Sequence, residues 1–329
     1  MFTIDYEDVL ERIKKYNPRS VLIQAPEGFS EYALRLADLI RDRLGCRIYV
    51  SADPCFGACM LPYDAARKLS IDLIIHMGHT AIPGMDSSRV LYVDVRSTVD
   101  VGAAVSRAVS VLEGYRRIGL VTIVQHIDKL EEARRILEEY GKDVHVGRPR
   151  FRAIYDGQIL GCDVSAAEDI AEDVDAFLYI GGGLFHPLGV AISTGKPTFA
   201  VDPFTLHIVD LRDVKRKFLA KRYASIVKAM DARIFGILLG LQPGQMDLDK
   251  VEEIESILRK HGRTVYILSM HIFDPDTLSS FRSIDVFVNT ACPRLALEDS
   301  FRIDKPVLNP DEVLVALGVK KWDELFRDA

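Results

Sequence analysis

The hydrophobic positions of the chain fall into short apolar runs that alternate with stretches of helical period. The first run, Ser20–Gln24, leads through a turn into a helix whose apolar residues recur three and four positions apart. Similar runs open near residues 118 and 234, and each is followed by an amphipathic helix. Continuous apolar runs are typical of parallel strands buried on both faces, and the helices between them provide the crossovers. The pattern therefore predicts parallel α/β structure.

We infer three such units in succession, because the three opening strands lie about 100 residues apart. We predict three similar small domains, each a roughly four-stranded parallel sheet flanked by helices, over residues 1–97, 98–203 and 204–329. Helical connectors are expected near residues 98–115 and 211–230. The sheets are expected to be arranged around a central site.

The charge balance argues against a nucleic-acid-binding protein. The chain has 42 basic and 48 acidic residues and a net charge of −6, whereas nucleic-acid binders normally carry a basic excess. No apolar run approaches the ~20 residues that span a bilayer, and the acidic N-terminus lacks the order of a signal peptide. We therefore predict a cytoplasmic protein that binds neither a membrane nor, directly, a nucleic acid.

The five cysteines are Cys46, Cys55, Cys59, Cys162 and Cys292. In a reducing compartment, conspicuous cysteines serve in metal binding or catalysis more often than in disulfides. Cys59, Cys162 and Cys292 each follow a strand of a different unit, and parallel α/β sheets build their sites at the carboxyl ends of strands. This placement predicts one site to which each domain contributes a thiolate.

Three thiolates suit a [4Fe–4S] cluster in which one iron is left open for chemistry. Zinc is the competing metal, but structural zinc sites usually show paired ligands, and Cys55-x-x-x-Cys59 has no second cysteine pair to complete it. A buried structural role is favoured for Cys46, while Cys55 fits either a spare thiol or a substitute ligand. His76 and His79, three residues apart, fit metal ligands or acid–base groups, although loop hydrogen bonding is the simpler interpretation.

Three local sequences, each containing one of these cysteines, resemble segments of the diphthamide biosynthesis enzymes. They occur in the order of that family's [YF]-G-A-C, GQxLGC and CPR segments, and they are Phe56-Gly57-Ala58-Cys59, Gly157-Gln158-Ile159-Leu160-Gly161-Cys162 and Cys292-Pro293-Arg294. The opening Ile23-Gln24-Ala25-Pro26-Glu27-Gly28 is also similar to the family's first strand and turn.

The similarity is closest to the archaeal 2-(3-amino-3-carboxypropyl)histidine synthase family, whose members are homodimers. It implies that Cys59, Cys162 and Cys292 hold a [4Fe–4S] cluster. The implied activity is the first step of diphthamide synthesis. In that step a radical enzyme transfers the 3-amino-3-carboxypropyl group from S-adenosylmethionine to a histidine of translation elongation factor 2 and releases methylthioadenosine. An electron donor, which the sequence does not name, is also implied. The usual CxxxCxxC motif of radical S-adenosylmethionine enzymes is absent.

Five further residues are candidates for contact with S-adenosylmethionine or the cluster. Gln24 and Gln242 each end an opening strand. Gly182 and Gly183 follow a strand, where backbone amides can bind an anionic group, although a tight turn from strand to helix is the slightly favoured interpretation. Arg294, two residues after a predicted ligand, fits a carboxylate partner or a charge that tunes the cluster, and also a structural ion pair.

Two other functional classes fit the same cysteine pattern. The first is another three-cysteine [4Fe–4S] enzyme, such as a quinolinate synthase, in which the open iron acts as a Lewis acid. The GQxLGC and CPR contexts argue against it. The second is a non-catalytic electron-transfer subunit, but three ligands on one chain, with no fourth, favour catalysis.

Overall fold

The computed structural model describes residues 2–293, 295 and 303–326, so the candidate Arg294 lies outside the described residues. The described strands are β1 (Phe2–Thr3), β2 (Ser20–Gln24), β3 (Arg47–Val50), β4 (Leu73–Met77), β5 (Val90–Val93), β6 (Arg96–Ser97), β7 (Arg117–Thr122), β8 (Asp143–His145), β9 (Ala176–Ile180), β10 (Thr198–Val201), β11 (Ile208–Asp210), β12 (Ile234–Gly240), β13 (Thr264–Met270), β14 (Val286–Asn289) and β15 (Val307–Leu308).

The α-helices lie mainly between these strands. Within the described ranges they are α1 (Tyr6–Tyr16), α2 (Ser30–Leu44), α3 (Tyr63–Lys68), α4 (Gly102–Ala108), α5 (Leu130–Glu139), α6 (Ser165–Glu168), α7 (Phe185–Thr194), α8 (Leu211–Met230), α9 (Leu248–Lys260), α10 (Pro275–Ser279) and α11 (Pro310–Ala316). None of the helices in this part of the chain is long and apolar enough to cross a membrane.

The three larger sheets share one strand order. They run β3-β2-β4-β5, β8-β7-β9-β10-β11 and β13-β12-β14-β15, so the second strand of each unit lies at an edge beside the first. All pairings in them are parallel except that of β11 with β10. The predicted α/β class is thereby confirmed. The antiparallel β11 was not predicted, because it is three residues long, half-buried and lacks an extended apolar run.

Each larger sheet comes from one continuous part of the chain, and helices occupy both predicted connectors. The first connector contains α4, and α8 coincides with the second over residues 211–230. The domain boundaries themselves stay a prediction.

The helix α8 packs against two cores. Near its start, Leu211, Phe218 and Leu219 belong to the core of the second unit. Near its end, Ile226 and Ala229 belong to the core of the third. Because a fully buried Leu or Phe contributes about 1.5–3 kcal/mol, this helix fixes the third unit beside the second rather than merely connecting them.

An aspartate recurs at the same place in each unit. It directly precedes the third strand, and its carboxylate accepts hydrogen bonds from two consecutive backbone amides where the chain enters the first strand. The three are Asp72 (amides of Arg19 at 2.8 Å and Ser20 at 3.1 Å), Asp175 (Arg116 at 3.2 Å and Arg117 at 2.8 Å) and Asp285 (Arg233 and Ile234, both at 2.9 Å). The three units therefore repeat in local detail as well as in strand order.

Candidate functional site

The three predicted cysteines lie beyond the carboxyl ends of parallel strands. Cys59 lies in a short 3₁₀ turn, Ala58–Met60, that follows β3. Cys162 follows a segment that returns to the sheet beside the end of β7, where Gln158 forms a bridge with Thr122. Cys292 comes three residues after the end of β14. This edge is where the loops of open parallel sheets form binding sites.

The Cys59 turn contacts the third unit directly. The amide of Gly244 donates to the Cys59 carbonyl at 2.9 Å, and the Gln245 Nε2 group donates to the Cys59 Sγ atom at 3.3 Å. A Cβ atom on Gly244 would lie 2.7 Å from the Cys59 Cα atom, closer than ordinary packing allows. The first and third units therefore meet at Cys59, and the approach requires a glycine.

The second unit contacts the same turn, that of Gly244 and Gln245, through Arg152. Its Nη1 group donates to the Gly244 carbonyl at 3.0 Å. Cys162 is exposed, yet the pKa of its thiol is raised, chiefly because the surrounding protein displaces water. The positive charge of Arg152 opposes this rise, and the charges of Cys59 and Asp163 add to it. Cys162 is thus close enough to Cys59 for the two thiols to influence one another.

Cys292 completes the junction from the third unit. Its carbonyl accepts a hydrogen bond from the Asn289 Nδ2 group at 2.8 Å, which fixes the turn after β14. Cys292 lines a cavity together with Gln245, the residue that contacts the Cys59 sulfur. The adjacent residue, Pro293, lines a second cavity together with Cys162. Contacts and cavity walls therefore link the cysteine of each unit to the turn of Gly244 and Gln245, and three soft sulfur donors are a ligand set that fits a [4Fe–4S] cluster.

The candidate Gln24 lies under the Cys59 turn. It is buried, its Nε2 group donates to the Met60 carbonyl at 2.8 Å, and its Oε1 atom is 2.8 Å from the His76 Nδ1 atom. Both ends of the amide are therefore engaged within the first unit. These bonds hold the segment that carries Cys59, and a contact between Gln24 and S-adenosylmethionine stays a prediction.

The glycine and glutamine candidates of the other units lie at the expected strand ends. Gly182 and Gly183 connect β9 to α7, and Gly183 has a φ of +75°, a conformation that favours glycine. Gln242 follows β12, and its Nε2 group donates to the carbonyl of His271, which lines the cavity of Cys292. Contacts of these residues with S-adenosylmethionine also stay predictions.

His76 and His79 form a close pair beside Cys55. The His76 Nε2 and His79 Nδ1 atoms are 3.0 Å apart, and the ligand atoms of both histidines and of Cys55 lie within 4.8 Å of one another. Burial lowers the pKa of His76 to about 3, and burial followed by the charge of His186 lowers that of His79 to about 4. Both imidazoles are therefore neutral at pH 7.

Sequence reasoning did not identify Arg152, Gly244 or Gln245. Gln245 was within reach of a sequence argument, because it is three residues from the candidate Gln242 in the turn after an opening strand. Arg152 offered no comparable indication, since it lies in the irregular segment between β8 and Cys162.

The fold and these contacts define a class of α/β protein in which three repeated parallel-sheet units contact one another at the turn of Gly244 and Gln245. A family model described as "Putative diphthamide synthesis protein" matches residues 25–326. The chain therefore belongs to the diphthamide synthesis family, as its motifs predicted.

Individual relatives agree with this assignment. A 2-(3-amino-3-carboxypropyl)histidine synthase of Pyrococcus horikoshii is 34% identical, with 98% of this chain and 94% of the relative covered. Subunit 1 of the synthase of Kluyveromyces lactis is 28% identical, with 99% and 77% covered. A crystal structure of Dph2 from Pyrococcus horikoshii with a 4Fe-4S cluster matches with a TM-score of 0.90 and 32% identity, covering 98% of this chain and 93% of that one.

Proposed function

We propose that this chain catalyses the first step of diphthamide synthesis. It would transfer the 3-amino-3-carboxypropyl group of S-adenosylmethionine to a histidine of translation elongation factor 2 and release methylthioadenosine. The observation that supports the proposal is that Cys59, Cys162 and Cys292 each lie beside the turn of Gly244 and Gln245 or beside a residue that contacts it, in a chain similar along almost its whole length to 2-(3-amino-3-carboxypropyl)histidine synthases.

The three cysteines would hold a [4Fe–4S] cluster as thiolates. When reduced and bound here, such a cluster would supply one electron to the sulfonium of S-adenosylmethionine, so that the bond between its sulfur and the aminocarboxypropyl carbon would break. The raised pKa of Cys162 does not oppose ligation, because metal binding displaces the thiol proton.

The surrounding residues of the chain have three tasks in this proposal. Gln245 donates to the Cys59 sulfur, a kind of bond that stabilises negative charge on a cluster ligand. Arg152 brings a positive charge close to Cys162. Phe56 and Phe273 give the cavity beside Cys292 apolar walls, which limit the access of water to a reactive intermediate.

The remaining parts of the proposal concern partners. Gln24, Gly182, Gly183, Gln242 and Arg294 are candidate contacts for S-adenosylmethionine. Translation elongation factor 2 is the proposed protein substrate, a separate electron donor reduces the cluster, and the chain acts as a homodimer in the cytoplasm.

Product analysis tests the proposed reaction. The chain is purified without oxygen, reduced, and mixed with S-adenosylmethionine and the elongation factor 2 of its own source. We expect methylthioadenosine by chromatography and an aminocarboxypropyl adduct on one histidine by mass spectrometry. Both should be lost in Cys59→Ala, Cys162→Ala and Cys292→Ala. Cys46→Ala, which alters a buried cysteine bonded to the Pro18 carbonyl, is the matched control and should retain them. A reduced cluster that leaves S-adenosylmethionine intact would contradict the proposal.

A further inference from the structure

We propose that Cys55, His76 and His79 bind a zinc ion next to the iron–sulfur junction, through ligands distinct from those of the cluster. The ligand atoms of the three residues lie within 4.8 Å of one another. Cys55 and His76 are buried, and His79 is half-buried. This site does not depend on the proposed function, since all three ligands come from the first unit and none is a proposed cluster ligand.

The donor set fits zinc better than a hard cation. A thiolate and two imidazoles are typical zinc ligands, whereas magnesium and calcium require oxygen donors. Bonds of about 2.0–2.3 Å place tetrahedral ligand atoms about 3.3–3.6 Å apart, so separations of up to 4.8 Å need adjustments of at most about 1.2 Å. The His76 and His79 nitrogen atoms, 3.0 Å apart, are already close to that spacing.

Gln24 orients the first histidine for ligation. Because its Nε2 group donates to the Met60 carbonyl, its Oε1 atom faces His76 and accepts a hydrogen bond from the Nδ1–H group. The His76 Nε2 lone pair then points toward His79. A ligating histidine normally has its second ring nitrogen held by a carbonyl in this manner.

The proton changes on zinc binding are balanced. The Cys55 thiol loses its proton to solvent and becomes the thiolate ligand. In His79 the proton now on Nδ1 is carried by Nε2 instead, so the net release is a single proton. Three protein ligands leave the fourth position for water or another donor. With Cys55 four residues before Cys59, the ion would also fix the segment that carries a cluster ligand.

His76 and His79 form a second pair of possible metal ligands, in place of the second cysteine pair that the sequence lacks. Cys55-x-x-x-Cys59 suggested half of a zinc site without a second cysteine pair, and His76-x-x-His79 lies against it in space. Only Cys55 of the cysteine pair belongs to this group, so Cys59 stays available at the junction.

Metal analysis of the loaded protein tests the site. The anaerobically reconstituted chain is dialysed against micromolar zinc with a weak chelator, and zinc and iron are measured in the same sample. We expect about one zinc per chain in addition to the iron. Cys55→Ser and His79→Ala should each weaken zinc binding at least tenfold, whereas Cys46→Ser should bind zinc as the wild type does. Substoichiometric zinc, or equal zinc affinity in all three variants, would overturn the proposal.

Two further measurements distinguish zinc binding at this site from an effect on folding and from metal binding by the cluster cysteines. A chain in which Cys59, Cys162 and Cys292 are all replaced by alanine should still bind one zinc, because its ligands remain. Loss of zinc there, with the fold intact by circular dichroism, would assign the ion to the junction. Cobalt added to this chain should give a thiolate-to-cobalt absorption band, and cobalt bound without that band would exclude Cys55 as a ligand.

Discussion

Cys59 is contacted by a turn of another unit, in which Gly244 and Gln245 are consecutive residues. Gly244 allows the two backbones to approach, and Gln245 uses that approach to reach the Cys59 sulfur. The two residues thus have different physical roles, one steric and one electrostatic. Separate substitutions should therefore give different results.

Replacing Gln245 with leucine removes a hydrogen-bond donor from a proposed cluster ligand. Donors to ligand sulfur stabilise the reduced state, so Gln245→Leu should lower the cluster's reduction potential by on the order of tens of millivolts while iron content stays near wild type. Redox titration followed by electron paramagnetic resonance measures this. Met246→Leu, an exposed neighbour in the same turn, is the control. An unchanged potential in Gln245→Leu would show that this hydrogen bond does not affect the cluster.

Replacing Gly244 with alanine places a methyl group against the backbone of Cys59. Because the new methyl group would lie only 2.7 Å from the Cys59 Cα atom, Gly244→Ala should cost about 1–3 kcal/mol of stability and reduce iron retention. Gly114→Ala is the matched control, since nothing lies within 4 Å of its new methyl group. Thermal unfolding and iron analysis compare the two variants. Equal behaviour would contradict the close approach of the two units.

The repeated aspartates tie the first and third strands together in every unit. In the second unit, the side-chain bond from Arg117 and then its backbone amide lower the pKa of Asp175 to about 2. An unfolded-state pKa of about 3.9 means that the carboxylate stabilises the fold above that pH. This contribution is lost as the pH falls from about 3.9 through about 2.

Asp175→Asn should therefore lower the midpoint of thermal unfolding at pH 7 and have less effect in acid. The difference from wild type should be constant from pH 7 to about 5 and shrink below that. Scanning calorimetry across this range measures it, with the exposed neighbour Glu172→Gln as control. A difference that does not change down to the lowest pH that the fold tolerates would contradict the role of the charge.

The ion pair between Arg222 of α8 and Glu312 of α11 holds two helices of the third unit together. Both side chains are about 2% exposed, and the Arg222 Nε group lies 2.7 Å from a Glu312 carboxylate oxygen. Glu312→Gln removes the negative charge but leaves the buried guanidinium, so it should cost about 3–5 kcal/mol of stability. Arg222→Met combined with Glu312→Leu should recover most of that loss.

Denaturant unfolding compares these variants with Asp311→Asn, which breaks the exposed pair with Lys320. That control should change stability by less than about 1 kcal/mol. A comparably small effect of Glu312→Gln would mean that the buried pair does not hold the two helices together.

The fold was predictable from the sequence because its central strands are buried on both faces and therefore read as apolar runs. Ile234–Gly240 is an example, with six of its seven residues buried. The position of the three cysteines beyond strand ends was predictable because parallel strands put their carboxyl ends at one edge of the sheet. The contacts of Arg152 and Gln245 were not predictable, since they join residues 92 and 186 positions apart across units. Periodicity carries no information about how separate sheets are oriented.

At the scale of the whole molecule, the three repeated units are joined by contacts that none of them makes alone. Each unit contains one of the three proposed ligand cysteines, and the bonds of Gly244 connect the first and second units to the third. A cluster held in this way would depend on the mutual position of all three units.

The most direct test is the iron and sulfide content of the anaerobically reconstituted chain and its single-cysteine variants. The wild type should contain about four iron and four sulfide per chain and show the Mössbauer spectrum of a four-iron cluster. Cys59→Ala, Cys162→Ala and Cys292→Ala should each lose most of both, and Cys46→Ala should lose neither. A full cluster in any of the first three variants would contradict the central claim that each unit supplies one ligand.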